Sequence, residues 1–544
     1  MSQENKNKKI NKLIALFTNG AVEDCKKETL KALEIYPTEP FLFNLLGVAH
    51  AETNSFEKAI AYYKKATDLN PEYFEVYNNI GVAYNHWNKP DLAVESLRHA
   101  IKLNPNYAEA FNNLGNSQKE LSSYEDAIES YENALKIDSN YIDALCNLGI
   151  VLGLVEKYPD AEEKYKKALA LDPSRKQTLY LYGSLLTKLK KLEEAKQKFN
   201  FILKTDPNFA EAHNGLGLVN VEFKNFDVAL ENFQNAIKSK NYYLEAINNY
   251  GYTLQATKQY AESIKVFEKA LKLNHSCLMT YNNLGKAYAD KGAVTKAKEV
   301  YYDGLKIDPD YLPILKNLVE ACILMRHFSE AEKIISSMLE RDPRSADSYN
   351  ALGSIYEKKG DFEKSKKYLN KALELNPDLF AAKLNLIAIK QHQGEIYEAE
   401  CSLEELLKEK GDSPVLHNNL ALIYLTLGKF ENGWDKYEYR WKVFPGVRVR
   451  WPKSDKELWE GQKDRRIVLW REQGIGDDIL FLSLVPEAFK IAKTLSVYID
   501  PRLMSICNRS MPGINFKKYT PGNFDGEEFD YHSPLGSLPR LFRN

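Results

Sequence analysis

The sequence predicts a mainly α-helical chain, a long solenoid of helix hairpins followed by a small α/β half-domain. Three observations predict it. Residue types recur at a step of 34 from Gly47 to Ala421. Each repeat holds two helical patterns, apolar at i, i+3, i+4 and i+7, joined by a short turn such as KNFD or KGDF. Near residue 430 the composition changes, and RRIVLWREQGIGDDILFLSLVPEAFKIAKTLSVYID then reads strand, glycine-bearing loop, helix, strand.

The repeat comes first. A chain of 544 residues is too long for one core, so an array or several domains is expected. One series runs through Gly47, Gly81, Gly115, Gly149, Gly183, Gly217, Gly251 and Gly285, then Val319, Gly353, Ile387 and Ala421. A second is Ala59, Ala93, Ala127, Ala161, Ala195, Ala229 and Ser263; a third is Tyr63, Leu97, Tyr131, Tyr165, Phe199, Phe233, Phe267 and Tyr301. Prolines such as Pro71, Pro105, Pro309 and Pro377 form a fourth. Glycine facing alanine lets the two helices of a hairpin come close. The aromatic is expected between hairpins, and proline ends the second helix because it cannot continue it. Residues 1–39 keep the register weakly, with Leu13, Cys25, Ala32 and Pro37 in the four roles, and read as a degenerate or capping unit. Residues 40–445 hold about twelve further units, those from 278 to 413 drifting furthest. The pattern resembles the tetratricopeptide repeat, which implies a superhelix that binds a protein or an extended peptide.

Charge and composition narrow the function. Lys+Arg (74) and Asp+Glu (75) nearly cancel, so no bulk field attracts nucleic acid or anionic lipid. No run of about 18 apolar residues suggests a membrane span. The start, MSQENKNKKINKLIALF, has no sustained apolar core, and a cytoplasmic location is expected. The six cysteines form no CxxC pair and read as thiols of a reducing compartment. Neither a metal nor a cofactor is expected; self-association is open, as such arrays often pair.

Two residues before the signature glycine stand Asn79, Asn113, Asn147, Asn249, Asn283, Asn317, Asn385 and Asn419. A second asparagine often precedes, as at Asn78, Asn112, Asn248, Asn282 and Asn418. A carboxamide both donates and accepts, so a spaced row on the concave side can pair with the backbone of an extended peptide. The row resembles the asparagine ladder of O-linked N-acetylglucosamine transferases. The other reading is ordinary bonding within the hairpin.

The joint over residues 446–466 is rich in tryptophan: Trp434, Trp441, Trp451, Trp459 and Trp470 lie in or beside it, among Arg440, Lys442, Arg448, Arg450 and Arg466. Aromatic and basic residues together could stack on single-stranded nucleic acid. Packing of the last helix onto the next domain explains them more simply. Beyond it, IVLW and SVYID read as strands around a helix over Ile479–Ala492, a βαβ unit opening a Rossmann-like half-domain over 467–544. The strings GWDKYEYRW, IVLWREQGIGDDILF and YHSPLGSLPRLF resemble bacterial proteins that join such repeats to a heptosyltransferase-like glycosyltransferase of the two-lobed GT-B fold. There YHSPLGSLPRLF matches text after the fourth strand, and Pro486 a proline near the helix end.

The resemblance implies that Asp477 is the base that deprotonates an acceptor hydroxyl, with Gly474, Gly476 and Asp478 shaping the acceptor side. The alternative for Asp477 or Asp478 is a helix cap. A GT-B enzyme needs a second lobe to hold the nucleotide sugar, and this sequence ends within or just after the first. The expectation is a binding scaffold fused to an incomplete glycosyltransferase-like lobe, inactive alone. As an alternative, it is a protein glycosyltransferase whose solenoid presents the acceptor and whose donor lobe, with its nucleotide sugar, is supplied elsewhere.

Overall fold

The computed structural model describes residues 3–443, 454–472, 474–520, 524 and 526–543, with side chains from residue 6. It forms two compact units, Met1–Ala321 and Cys322–Asn544. The first contains nine helix hairpins, from Gln3–Thr18 with Val22–Ile35 to Leu278–Asp290 with Val294–Leu305. Helix Leu312–Leu324 runs across the division and is followed by Phe328–Arg341. The second unit continues with the hairpins Ala346–Lys358/Phe362–Leu375, Phe380–His392/Ile396–Lys410 and Pro414–Thr426/Phe430–Tyr437, then a sheet.

Each hairpin turns on one residue in the left-handed region, again at a step of 34: Asn54 (φ 55°), Lys190 (59°), Lys224 (61°), Lys258 (64°), Gly292 (88°), Gly360 (79°). The following N–H donates back to the first helix, as Ser55 to His50 O (2.9 Å), Lys191 to Leu186 O (2.9 Å) and Asp361 to Tyr356 O (2.9 Å). This is the Schellman closure of a helix end. Between hairpins an Asn or Asp side chain accepts the N–H two residues on: Asn70 from Glu72 (3.2 Å), Asp138 from Asn140 (3.0 Å), Asp308 from Asp310 (2.9 Å).

The aromatic lies on the glycine of its own hairpin and also fills the space to the next one, as Phe199 does between Gly183 and Gly215. A Cβ at Gly251 would stand 2.6 Å from Phe267 Cε1, and one at Gly115 2.6 Å from Tyr131 Cε1. The alanine position packs against the same turn from the side. Where it is serine, Ser263 Oγ donates to Gly251 O (2.8 Å) and Ser365 Oγ to Gly353 O (2.6 Å). Volume is exchanged where the pattern lapses: Ile387 replaces the glycine and Leu403 the ring, and both belong to one buried cluster. In the first hairpin Leu13, Cys25 and Ala32 are buried in the same roles, with Cys25 Sγ donating to Leu13 O (3.6 Å).

The sheet has four parallel strands, β1 (Arg466–Trp470), β2 (Thr494–Ile499), β3 (Asn515–Lys518) and β4 (Tyr531–Pro534), in the order β3-β2-β1-β4. Alternate side chains serve opposite faces. Ile467, Leu469, Val497, Ile499 and Phe516 join Phe481, Leu482 and Val485 in one cluster. Val468, Trp470 and Tyr498 pack with Trp441 and Phe524 in another. Two expectations are corrected. In place of one helix over Ile479–Ala492 there are two, Ile475–Leu482 and Val485–Ile491, with Pro486 in the first turn of the second, where its missing N–H leaves no bond unmade. YHSP is itself the fourth strand. Of the joint, residues 444–453, with Arg448, Arg450 and Trp451, lie outside the described residues. Among the described residues no helix is long and apolar enough to cross a membrane.

Candidate functional site

The asparagine row is built into the stacking of neighbouring hairpins. Asn79 Nδ2 donates to Asn44 Oδ1 (3.0 Å), Asn113 to Asn78 (2.9 Å), Asn147 to Asn112 (3.0 Å), Asn249 to Asn214 (2.9 Å), Asn317 to Asn282 (2.8 Å) and Asn385 to Asn350 (3.0 Å). Each bond reaches 35 residues back, to the preceding first helix, so it links hairpins and does not stay within one. Asn283 makes no such bond among the described residues; the Asn248 Oδ1 at the corresponding position accepts from Thr280 Oγ1 (3.1 Å). For Asn419 the corresponding position is Leu384. All eight side chains are half-buried. One N–H of each bonded carboxamide is taken, which fixes its plane and leaves Oδ1 and the second N–H. Within the first unit, successive first helices pack on one another, and no comparably close pairing joins successive second helices. The first helices therefore line the inner side of that unit's curve.

The sequence reading passed over the carboxylates beside this row. Glu109 accepts Asn78 Nδ2 (3.2 Å) and Tyr107 OH (3.4 Å); Glu245 accepts Asn214 Nδ2 (3.0 Å) and Tyr243 OH (3.4 Å). Burial, reinforced by the Glu109 and Asp143 carboxylates, pushes the Tyr141 hydroxyl up to about 12. Tyr107 and Tyr243 are raised further by burial and the same kind of neighbour. The recurring Tyr-x-Glu at the start of first helices was the available signal.

In the sheet unit, Gly474 is the extended N-cap of helix Ile475–Leu482, and Asp477 Oδ2 accepts its N–H (3.2 Å), the reciprocal half of a capping box. Asp477 is half-buried, while Gly474 and Gly476 are exposed. A Cβ at Gly476 would meet nothing, so packing alone does not demand glycine there. Asp478 does not share that surface. It is 2% exposed, and its Oδ2 pairs with Arg471 Nε at 2.8 Å. Arg471 also pairs with Asp500 (2.5 Å) at the end of β2, and the Asp500 carboxyl is held far below its usual range, first by Arg502. Gln473 lies outside the described residues.

A buried polar cluster at this end of the sheet centres on Arg440, which the sequence placed only among the basic residues of the joint. Arg440, the arginine of GWDKYEYRW, is 4% exposed and Glu472 is 2% exposed. Arg440 Nε donates to Glu472 Oε1 (3.2 Å) and Nη2 to Oε2 (3.0 Å), while Nη1 reaches Glu438 Oε1 (2.8 Å) and Nη2 the Ser537 Oγ (3.0 Å). Glu472 follows β1 and Ser537 follows β4, so the arginine fills the space beyond the carboxyl ends of two adjacent parallel strands. That is where ligands of open α/β sheets bind. A Cβ at Gly536 would overlap Glu472 Oε1, which explains the glycine. Among the described tryptophans, Trp434 meets Phe481 edge-on (centroids 6.4 Å) and Trp441 meets Trp470 (5.8 Å), the packing expected of them.

Models of tetratricopeptide-repeat families match residues 49–85, 74–107, 96–129, 118–154, 147–200, 244–277, 288–355 and 346–379. Protein FlbA of Caulobacter vibrioides is 27% identical over 223 residues, 36% of this chain and 36% of its own, so the chain spans about a third of that relative. Among solved structures, a tetratricopeptide repeat protein from Parabacteroides merdae is 19% identical over 46% of this chain and 98% of that one (TM-score 0.40). YrrB, described as a TPR protein with an unusual peptide-binding site, is 25% identical over 36% of this chain and 97% of its own (TM-score 0.29). The chain is a tetratricopeptide-repeat protein.

Proposed function

We propose that this chain is a scaffold that holds a protein or an extended peptide along the inner side of its repeats. The observation that carries the reading is the asparagine row, whose planes are fixed by inter-hairpin bonds while an acceptor and a donor of each remain. A pre-oriented carboxamide meets a peptide backbone without losing rotamer entropy on binding. The test uses the full chain and short unstructured peptides, comparing wild type with the Asn79→Ala/Asn113→Ala/Asn249→Ala/Asn283→Ala variant. Capture lost while the melting temperature holds supports the row; unchanged affinity retires it.

We further read residues 1–39 as a capping unit, 40–445 as the binding array, and the sheet region, 467–544, as one lobe of a glycosyltransferase-like domain. The parallel strands and the loop from Glu472 to Asp477 support this. Transfer needs a second lobe to hold a nucleotide sugar. Asp477, at the start of its helix, is the base that such an enzyme would use, with Gly474 and Gly476 on the acceptor side. Incubation with nucleotide sugars tests it: hydrolysis or transfer that disappears in Asp477→Ala supports the role, and none in either protein retires it for this chain. Buried thiols at Cys25, Cys146 and Cys507 suit a reducing, cytoplasmic setting.

A further inference from the structure

We propose that the inner face of residues 41–290 selects a basic partner, an extended peptide carrying lysine or arginine side chains; the proposal rests on the scaffold reading and deepens it. In helix Ala108–Glu120, the residues Glu109, Asn113, Asn116 and Glu120 follow i, i+4, i+7 and i+11, which share one helix face. The same stripe elsewhere is positions 41, 45, 48 and 52 and their 34-residue equivalents through 290. It holds nine carboxylates against two lysines, Lys188 and Lys286, in a chain whose total charge is −1. The excess is therefore local to the face that carries the asparagines.

Part of that charge is neutralised within the array. Asp143 pairs with Arg175, Glu211 with Lys240, Glu222 with Lys190 and Glu120 with Lys119. Glu52, Glu75, Glu109, Glu245 and Asp290 have no lysine or arginine at ion-pair distance among the described residues. Glu75, Glu109 and Glu245 stand in first turns, where the helix dipole favours an acid. Glu52 and Asp290 close their helices at the C-terminal end, where the dipole opposes an acid, so helix stability does not account for them.

A second observation points to what is missing. Gln255 is 6% exposed, and its Nε2 donates to Asp290 Oδ2 (2.5 Å), yet its Oε1 is buried with no hydrogen-bond partner. Asn85, at the equivalent position of an earlier repeat, likewise has a buried, unpartnered Oδ1. A buried oxygen left unpaired is costly and requires a donor. Beside a carboxylate without a cation, the group that completes the set donates several hydrogen bonds and accepts none. Ammonium and guanidinium alone among side-chain groups do this.

The test is fluorescence anisotropy on the full chain with three labelled peptides of equal length, alternating Ser with Lys, Glu or Gln. The Lys peptide is expected to bind about ten-fold more tightly than the Gln peptide and to weaken as salt is raised. The isosteric variant Glu75→Gln/Glu109→Gln/Glu245→Gln/Asp290→Asn is expected to lose about ten-fold for the Lys peptide at an unchanged melting temperature. Glu95→Gln/Glu129→Gln/Glu132→Gln/Glu231→Gln, which removes the same charge from second helices, is expected to keep it. Equal loss in that control would reduce the effect to bulk charge and overturn the proposal. Equal binding of all three peptides overturns the basic preference while leaving the scaffold reading standing; binding of none overturns both.

Discussion

Arg440 and Glu472 form a two-point ion pair with Nε–Oε1 at 3.2 Å and Nη2–Oε2 at 3.0 Å, both side chains almost wholly withdrawn from solvent. Glu472 opens the loop that leads to Gly474 and Asp477, and Arg440 lies in the segment that follows the last repeat helix. This ion pair therefore joins the segment after the last repeat helix to the residue that follows β1, beside the Trp434–Phe481 and Trp441–Trp470 contacts.

That contact predicts strong, non-additive destabilisation. Removing one partner leaves the other charge buried, so Arg440→Met or Glu472→Gln should each cost about 3–5 kcal/mol. The double variant Arg440→Met/Glu472→Gln removes both charges and should cost less than the sum of the two single variants. Urea denaturation followed by tryptophan fluorescence reads this directly. Additive losses would mean the two side chains do not act as a pair.

A second prediction concerns Gly251 and Phe267. A methyl at Gly251 would sit 2.6 Å from the ring, so Gly251→Ala should cost about 1–3 kcal/mol through overpacking. Phe267→Leu alone should also destabilise, by leaving space. The pair Gly251→Ala/Phe267→Leu moves toward the Ile387 and Leu403 solution already used in this chain, and should recover part of the loss. Thermal melts of the four proteins form the cycle; no recovery in the double variant would refute ring-on-glycine packing as the reason for the pattern.

How much of this was legible follows from what a period encodes. The 34-residue step assigns equivalent positions, so the hairpins and the asparagine row could be read directly from Gly47, Ala59 and Asn79 onward. It carries no distances. It could not say that Phe267 lies on Gly251, or that Asn113 reaches Asn78 on the hairpin before. The left-handed turn was hidden because Asn, Ser, Glu, Lys and Arg occupy it as well as Gly, and only the step unites them. Arg440 and Glu472 lie on either side of a segment whose length gives no hint of contact, and neither type signals a buried role. The Gly-Asp loop was visible as a motif, yet only coordinates separate the capping Asp477 from the enclosed Asp478.

The turn itself yields a third prediction. Lys224 and Lys258 hold φ of 61° and 64°, a conformation that costs a side-chain-bearing residue about 1–2 kcal/mol and glycine little. Lys224→Gly and Lys258→Gly should therefore each change stability by a small positive amount, about 0.5–1 kcal/mol, with glycine's unfolded-state entropy offsetting the rest. Gly360→Val, at φ 79°, should destabilise by more than either gains. Differential scanning calorimetry on the three variants checks the signs; a loss in both glycine variants would show that the lysines stabilise the turn by other contacts.

The last prediction is a pH dependence centred on Glu162. Its carboxylate accepts from Lys166 (2.7 Å), Lys191 (2.8 Å) and Tyr182 OH (3.0 Å), linking two neighbouring hairpins. Those bonds, Lys166 first, hold its pKa at about 2 against an ordinary 4.5. Because only the folded state favours the ionised form, the contribution is complete above the ordinary carboxylate value. As pH falls the unfolded chain takes up the proton first, so stability declines from about 4.5 and the contribution is gone once pH drops below about 2. Glu162→Gln should lower stability at neutral pH, with the gap to wild type narrowing through that window. Denaturation midpoints measured from pH 6 down toward about 2 provide the comparison. Parallel curves for the two proteins would place the acid sensitivity in other carboxylates, and the inter-hairpin bonds of Glu162 would then contribute no ionisation-linked stability.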